Sequence, residues 1–204
     1  MGYLIVILAG YLLGSSNMAF YLSKLKKADL RGAGSGNLGA SNATVLLGWR
    51  AGVLTAVHDI GKSALAVILA RLLFRDLPFI GAVAGVASVL GHIFPFYLKF
   101  KGGKGFASYD GMTLALNWKL ALIIALAVVV VTLITDYIVC GTLTTIISVP
   151  LYIGFASSWI AAGILLIATA VILYKHRENY PRMLNGTELG LRSAIRGDNK
   201  IKKQ

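Results

Sequence analysis

Between two apolar runs the chain spends two lysines and three glycines in Phe100-Lys101-Gly102-Gly103-Lys104-Gly105. Glycines let backbone N–H groups come close to a ligand and lysines bring positive charge, so the guest such a turn suits is a phosphate. Two other polar segments add to that inventory. The stretch from Gly32 to Asn42 offers hydroxyl and amide groups at Ser35, Asn37, Ser41 and Asn42 around Gly34, Gly36 and Gly39, and the stretch from Lys175 to Glu188 offers an imidazole at His176 and a guanidinium at Arg177. Together they suit an anion. Singly, each has an ordinary reading: Gly-Ser-Gly-Asn is a turn sequence, lysines in a loop follow from membrane topology, and His176-Arg177-Glu178-Asn179 can end a helix at headgroup level.

A further group sits inside an apolar run. His58, Asp59 and Lys62 fall within about one helical turn, and ionisable groups at such depth are costly unless paired, hydrated or functional. Two readings stand: a buried Asp59–Lys62 ion pair that orients helices, or a support that aims a residue of the glycine-rich loop. His92, one turn before Pro95, reads as a helix-packing hydrogen-bond donor in preference to a metal ligand. No metal-ligand spacing, nucleophile elbow or Walker loop is present, and the single cysteine, Cys140, reads as a small apolar side chain in a helix.

The elements that must hold these residues are membrane helices. Of 204 residues 57% are hydrophobic and the mean hydropathy is +0.75, far above a soluble domain. The formal charge of +12 lies in short segments between and after apolar runs, which argues against nucleic acid as a partner. A first span from Gly2 to about Leu22, without the marks of a cleaved signal peptide, ends in the cationic Ser23–Lys27, so the N-terminus is expected outside. Spans near Arg50–Phe74 and Phe79–Leu98 follow, which returns Lys99–Gly105 to the cytoplasmic side. The basic segment from Lys175 is cytoplasmic by the same rule, so an even number of crossings must lie between. Trp118–Thr135, Ile138–Phe155 and Ser158–Tyr174 supply three, and Phe106–Asn117, though short, is needed as the fourth. The expectation is an all-α integral membrane protein of about seven helices in one domain, residues 1–188, with its polar loops cytoplasmic and a basic tail, 189–204, whose Lys-rich end lies near anionic lipid.

In this order, the three polar segments resemble the signatures of a known family, the bacterial membrane glycerol-3-phosphate acyltransferases that take their acyl group from acyl-phosphate. Gly34-Ser35-Gly36-Asn37-Leu38-Gly39-Ala40-Ser41-Asn42 is similar to the first signature. Gly91-His92-Ile93-Phe94-Pro95 with Phe100–Gly105 is similar to the second, and His176-Arg177-Glu178-Asn179 with Arg182, Gly186 and Glu188 to the third. Asp59 and Lys62 match the family's intramembrane Asp and Lys, and the likeness runs from about Gly14 to Glu188. It implies a seven-helix enzyme of the bacterial plasma membrane that acylates the 1-hydroxyl of glycerol 3-phosphate, without a cofactor, metal or covalent acyl-enzyme, giving lysophosphatidic acid and phosphate. Under that resemblance Lys104, His176, Asn179 and Ser35 are the catalytic candidates. Substrate contacts fall to Gly36, Asn37, Ser41, Asn42, Lys101, Gly102, Gly103, Arg177 and Glu178, with Asp59, Lys62 and His92 in support. One phosphate is expected on Lys104 and the N–H groups of Gly102 and Gly103, the other or the glycerol backbone on Ser35, Asn37 and Asn42, and the acyl chain in apolar grooves between helices.

Several positions depart from that pattern. Val45 stands where the first signature continues to an Arg, with Arg50 the nearest cation along the chain. Ser63 follows the intramembrane Lys in place of Gly, Phe106-Ala107-Ser108 replaces Val-Ala-Thr, Ser41 replaces Thr, and Tyr137, Val139 and Thr142 retain only part of a Tyr-x-Ser-x-x-Ser pattern. A diverged paralogue with another acceptor or low activity is therefore a second reading, and a small-anion transporter with His58, Asp59 and Lys62 along its path a third.

Overall fold

The computed structural model describes residues 1–196, all helix and connecting turns with no strand among them. The Lys-rich end, Asn199 to Gln204, lies outside the described residues. The chain divides into two compact units, Met1–Asn117 and the part from Trp118 onward.

The first unit holds α1 (Gly2–Ser15), α2 (Met18–Leu25), α3 (Ala40–Leu47), α4 (Trp49–Leu73), α5 (Ile80–Ile93) and α6 (Phe106–Leu116). The apolar run expected as one straight span breaks at Ser16–Asn17. Asn17 causes the break: its Oδ1 caps α2 by accepting from the Phe20 amide at 2.8 Å, and its Nδ2 donates to the Leu38 carbonyl at 3.2 Å. Small residues bring the helices close. Gly14 of α1 meets the Ser88 backbone of α5, Gly91 of α5 meets the backbone of Tyr11 and Ser15, and Gly111 of α6 meets that of Ile60 in α4, and a methyl group at any of the three would overlap main-chain atoms. Ser63, where the resemblance expects Gly, is buried and its hydroxyl lies 2.9 Å from that of Ser88, so the α4–α5 contact carries a hydrogen bond there.

Pro95 stops α5, and a single 3-10 turn, Phe96–Leu98, leads into Lys99 and Phe100, both with positive φ. The segment expected as a loop from Gly32 to Asn42 is irregular only as far as Gly39, and α3 begins at Ala40, so Ser41 and Asn42 ride on its first turn. Ala19, Leu30, Leu38, Ala43 and Leu98 form a buried apolar plug beneath these polar segments.

In the second unit α7 (Trp118–Thr135) packs on α8 (Ile138–Ala156) and α8 on α9 (Trp159–Lys175), with the buried Thr169 hydroxyl donating to the Ile146 carbonyl at 3.1 Å. Two short helices follow, α10 (Asn179–Leu184) and α11 (Leu191–Arg196), the latter tied back by the Leu191 and Arg192 amides to the backbone and carboxylate of Asp136 at 2.7 and 2.8 Å.

Five helical stretches among the described residues are long and apolar enough to cross a membrane: Gly2–Leu25, Trp49–Leu73, Ile80–Leu98, Trp118–Thr135 and Ile138–Ala156. Helix α9 is equally apolar at 17 residues, and α6 has only 11.

Candidate active site

Two of the three polar segments are joined within the first unit by a residue that lies in neither signature. The Arg31 guanidinium donates to the carbonyls of Leu98 and Lys101 at 3.2 and 3.3 Å, which fastens the glycine-rich turn to the Lys101–Gly105 loop. Asn42 braces that turn from inside. Its Oδ1 accepts from the Ser35 amide at 3.0 Å and its Nδ2 donates to the Leu30 carbonyl at 2.9 Å, with the Ala33 carbonyl at 3.4 Å. Asn42, expected among the substrate contacts, is buried here, with its amide bonded to the backbone. Ser35 and Ser41 are exposed and Asn37 is half-buried, and none of the three side chains makes a hydrogen bond among the described residues, so they are the groups the turn offers. Gly34 and Gly36 adopt positive φ here, which fits the turn to glycine.

The Lys101–Gly105 loop also differs from expectation in which amides it presents. The Gly102 amide donates to the Ile93 carbonyl at 3.0 Å and the Gly103 amide to the His92 carbonyl at 3.2 Å, closing the loop onto the free carbonyl end of α5. Those two N–H groups are not available to a phosphate. Gly105, at φ +98°, turns the chain directly into α6, whose first-turn N–H groups have no partner within the helix and carry its positive dipole end. Donors for an anion are thus the start of α6 together with the half-buried Lys104. Lys101 is exposed at the rim.

Beneath the loop lies the ionic cluster. Lys62 Nζ is 2.8 Å from Asp59 Oδ1, 2.6 Å from the Ser16 carbonyl and 2.9 Å from His92 Nδ1. The ammonium can only donate, so its three N–H bonds meet three acceptors. His58 lies beside it, with Nδ1 3.4 Å from Asp59 Oδ1 and Nε2 3.0 Å from the Ser16 hydroxyl, which in turn is 3.2 Å from the Tyr21 hydroxyl. The break between α1 and α2 is what brings Ser16 to this cluster, and nothing in the apolar pattern signals it. His92 connects the cluster to the loop, for a Cβ on Gly103 would overlap its imidazole.

One more residue escaped the sequence reading. Asp110, half-buried on α6, makes no hydrogen bond or ion pair among the described residues. A lone carboxylate in so short and apolar a helix is a signal that could have found it.

The third segment belongs to the second unit. His176 is buried at the end of α9, and its Nδ1–H donates to the Ile172 carbonyl at 2.9 Å, which puts the neutral ring's Nε2 in its acceptor form. Asn179, also buried, donates to Glu188 Oε1 at 2.6 Å, while Glu188 Oε2 takes a 2.7 Å bond from Arg182. Glu188 thus ties the Asn179 amide to the Arg182 guanidinium. Arg177 and Glu178 are exposed: the guanidinium lies 4.0 Å from the Tyr174 ring centroid and 3.7 Å from the Glu178 carboxylate. Of the cations near the missing Arg, Arg50 lies exposed with its guanidinium 5.5 Å from the Trp49 ring centroid.

Comparison with known proteins gives the same direction throughout. Residues 4–186 match the family model described as glycerol-3-phosphate acyltransferase. The chain is 39% identical over 189 residues to the glycerol-3-phosphate acyltransferase of Pelagibacter ubique, covering 92% of this chain and 97% of that one. It is 35% identical over 191 residues to the corresponding protein of Clostridioides difficile, covering 91% of this chain and 94% of that one. Among solved structures, the integral membrane glycerol 3-phosphate acyltransferase PlsY in its glycerol 3-phosphate form superposes with a TM-score of 0.89 at 34% identity, over 96% of this chain and 98% of that chain. A second form of PlsY, with lysophosphatidic acid, gives a TM-score of 0.84 at the same 34% identity, over 93% of this chain and 95% of that chain. Helical membrane architecture, a braced glycine-rich turn and a lysine loop ahead of a helix N-terminus fit that likeness, and the chain belongs to the glycerol-3-phosphate acyltransferase family.

Proposed function

We propose that the chain transfers an acyl group from acyl-phosphate to the 1-hydroxyl of glycerol 3-phosphate in a bacterial plasma membrane, with its site open to the cytoplasm. An acyl-phosphate is a mixed anhydride whose leaving group is already good, so no covalent acyl-enzyme is needed. The hydroxyl oxygen attacks the acyl carbon, the bond from that carbon to the phosphate oxygen breaks, and inorganic phosphate departs. The hydroxyl proton passes to His176 Nε2 or to a substrate phosphate oxygen. What the protein must supply is proximity and the holding of two mutually repelling phosphates. Lys104 and the start of α6 hold one of them, Ser35, Asn37 and Ser41 the other or the glycerol backbone, and His176 and Asn179 act at the reacting carbon. The acyl chain lies in apolar grooves between helices. The observation that carries this reading is the pair of Arg31 bonds that fastens the glycine-rich turn to the lysine loop, so that both sets of donors belong to one end of the first unit.

The test is release of inorganic phosphate by purified protein given acyl-phosphate and glycerol 3-phosphate. Release is expected, and it collapses by orders of magnitude in Lys104→Ala and in His176→Ala; no release from the unaltered protein sinks the reading. A second reading, a slow or redirected relative, is favoured by Val45, since Arg50, the nearest cation along the chain, rests exposed against Trp49. Restoration of a weak activity by Val45→Arg would establish it.

A further inference from the structure

We propose that His92 is a substrate-contacting residue, its Nε2–H donating a hydrogen bond to the phosphate of glycerol 3-phosphate, held at the Lys101–Gly105 loop. This rests on the acyl-transfer reading and adds to it a residue that sequence analysis assigned only to support.

The argument starts from the proton. All three N–H bonds of the Lys62 ammonium are directed at acceptors, one of them His92 Nδ1 at 2.9 Å. A ring nitrogen that accepts from an ammonium carries no hydrogen, so the neutral imidazole has its proton on Nε2. Asp59 Oδ1 also lies 3.4 Å from Nδ1, a weaker approach than the ammonium makes.

That Nε2–H is spent on nothing. His92 is only 3% exposed, and among the described residues its side chain makes no hydrogen bond except at Nδ1. An N–H with no protein partner, on a ring whose other nitrogen is fixed by an ammonium, is a donor held ready for a ligand.

Its direction is set by Gly103. A side chain there would overlap ring atoms Nε2 and Cε1, so the absence of one lets this edge of the imidazole pack directly against the loop at Gly103. The amides of Gly102 and Gly103 are already closed onto the end of α5, so at this point the loop presents a side-chain donor where backbone donors were expected. Asp59 balances the charge of Lys62 beneath the ring, so the donor stands over a neutral pair and repels no anion.

Two substitutions separate this role from a structural one. His92→Asn sets an amide oxygen near the position of Nδ1, keeps an acceptor for Lys62 and deletes the Nε2 donor. His92→Gln sets an amide N–H near the position of Nε2 and deletes the acceptor. The full chain is assayed in detergent or liposomes with acyl-phosphate saturating and glycerol 3-phosphate varied. The KM for glycerol 3-phosphate is expected to rise about 10- to 100-fold in His92→Asn and about threefold in His92→Gln, with His92→Gln having the lower melting temperature. The reverse order in KM overturns the proposal. Should His92→Asn fail to fold, the Nε2–H resonance of 15N-histidine-labelled unaltered protein, identified by its loss in His92→Gln, must move on titration with glycerol 3-phosphate; no movement at saturation overturns it equally. Phosphate release by the unaltered enzyme and its collapse in Lys104→Ala distinguish the two failures. If both hold while the KM order is reversed, His92 alone is misassigned, whereas no release from the unaltered enzyme removes the acyl-transfer reading and this one with it.

Discussion

Asp59 is 1% exposed in α4, and its Oδ1 serves both Lys62 and His58. Removing the carboxylate strands an ammonium in a buried site, a loss on the order of 3–5 kcal/mol. Asp59→Ala is therefore expected to lower the melting temperature sharply in detergent, while the double change Asp59→Leu with Lys62→Met recovers most of the stability and little of the activity. Equal melting of the single and double variants would show that the pair has no such coupling. The glycine-rich turn allows a cleaner separation of brace from contact. Asn42→Ala deletes a buried amide with three backbone partners and should destabilise the protein by about 1–3 kcal/mol. Ser35→Ala removes a hydroxyl that makes no hydrogen bond among the described residues, and should leave melting unchanged within about 0.5 kcal/mol while lowering kcat/KM at least about tenfold. If Ser35→Ala melts early or turns over normally, its hydroxyl does not meet substrate.

At the scale of elements, α1 and α4 flank an open apolar groove of about 740 Å³, lined by Ala9, Leu12, Leu13, Ser16, His58, Gly61, Lys62 and Leu65. Gly61 faces it with nothing within 4 Å of a Cβ, so a large side chain there enters the groove without displacing a neighbour. If the acyl chain uses this groove, Gly61→Phe shifts the preferred donor toward shorter chains by several-fold in kcat/KM; an unshifted chain-length profile assigns the acyl chain elsewhere. The helices themselves were legible in the sequence, because a lipid-facing element must carry a long apolar run, and α4, α7, α8 and α9 fall within a residue or two of their expected limits. The i,i+3 spacing made the Asp59–Lys62 pair legible too. The break at Asn17 was not, since hydropathy runs through it and its cause is a side chain reaching Leu38, 21 residues on. Nor could spacing say that the Gly102 and Gly103 amides are consumed by α5, that Asn42 folds the turn, or that Arg31 reaches across to Leu98, because each is a tertiary contact that composition does not encode.

The whole-molecule question is how often the chain crosses the membrane, and it turns on α6, whose 11 residues rise only about 16 Å against a hydrocarbon core of about 30 Å. Its far end nevertheless reaches the end of its long neighbour. Arg71, two residues before the last residue of α4, donates to the carbonyls of Ala115 and Leu116 at 2.9 and 3.4 Å, satisfying the terminal acceptors of α6. The shortfall therefore falls at the start of α6, so the Lys101–Gly105 loop is sunk below the level where α4 begins and meets, through His92, a cluster in the middle of α4. That geometry explains how ionisable groups so deep in a span belong to the same recess as a polar loop. The proposed seventh crossing is α6, and cysteine labelling tests it. In a Cys140→Ala background, single cysteines at Arg75, Phe100 and Asn117 are exposed to a membrane-impermeant maleimide in sealed cells. Arg75→Cys and Asn117→Cys should label at once, and Phe100→Cys only after permeabilisation. Labelling of Asn117→Cys together with Phe100→Cys would mean that α6 turns back within the membrane, and the expected even number of crossings between Gly105 and Lys175 would fail with it.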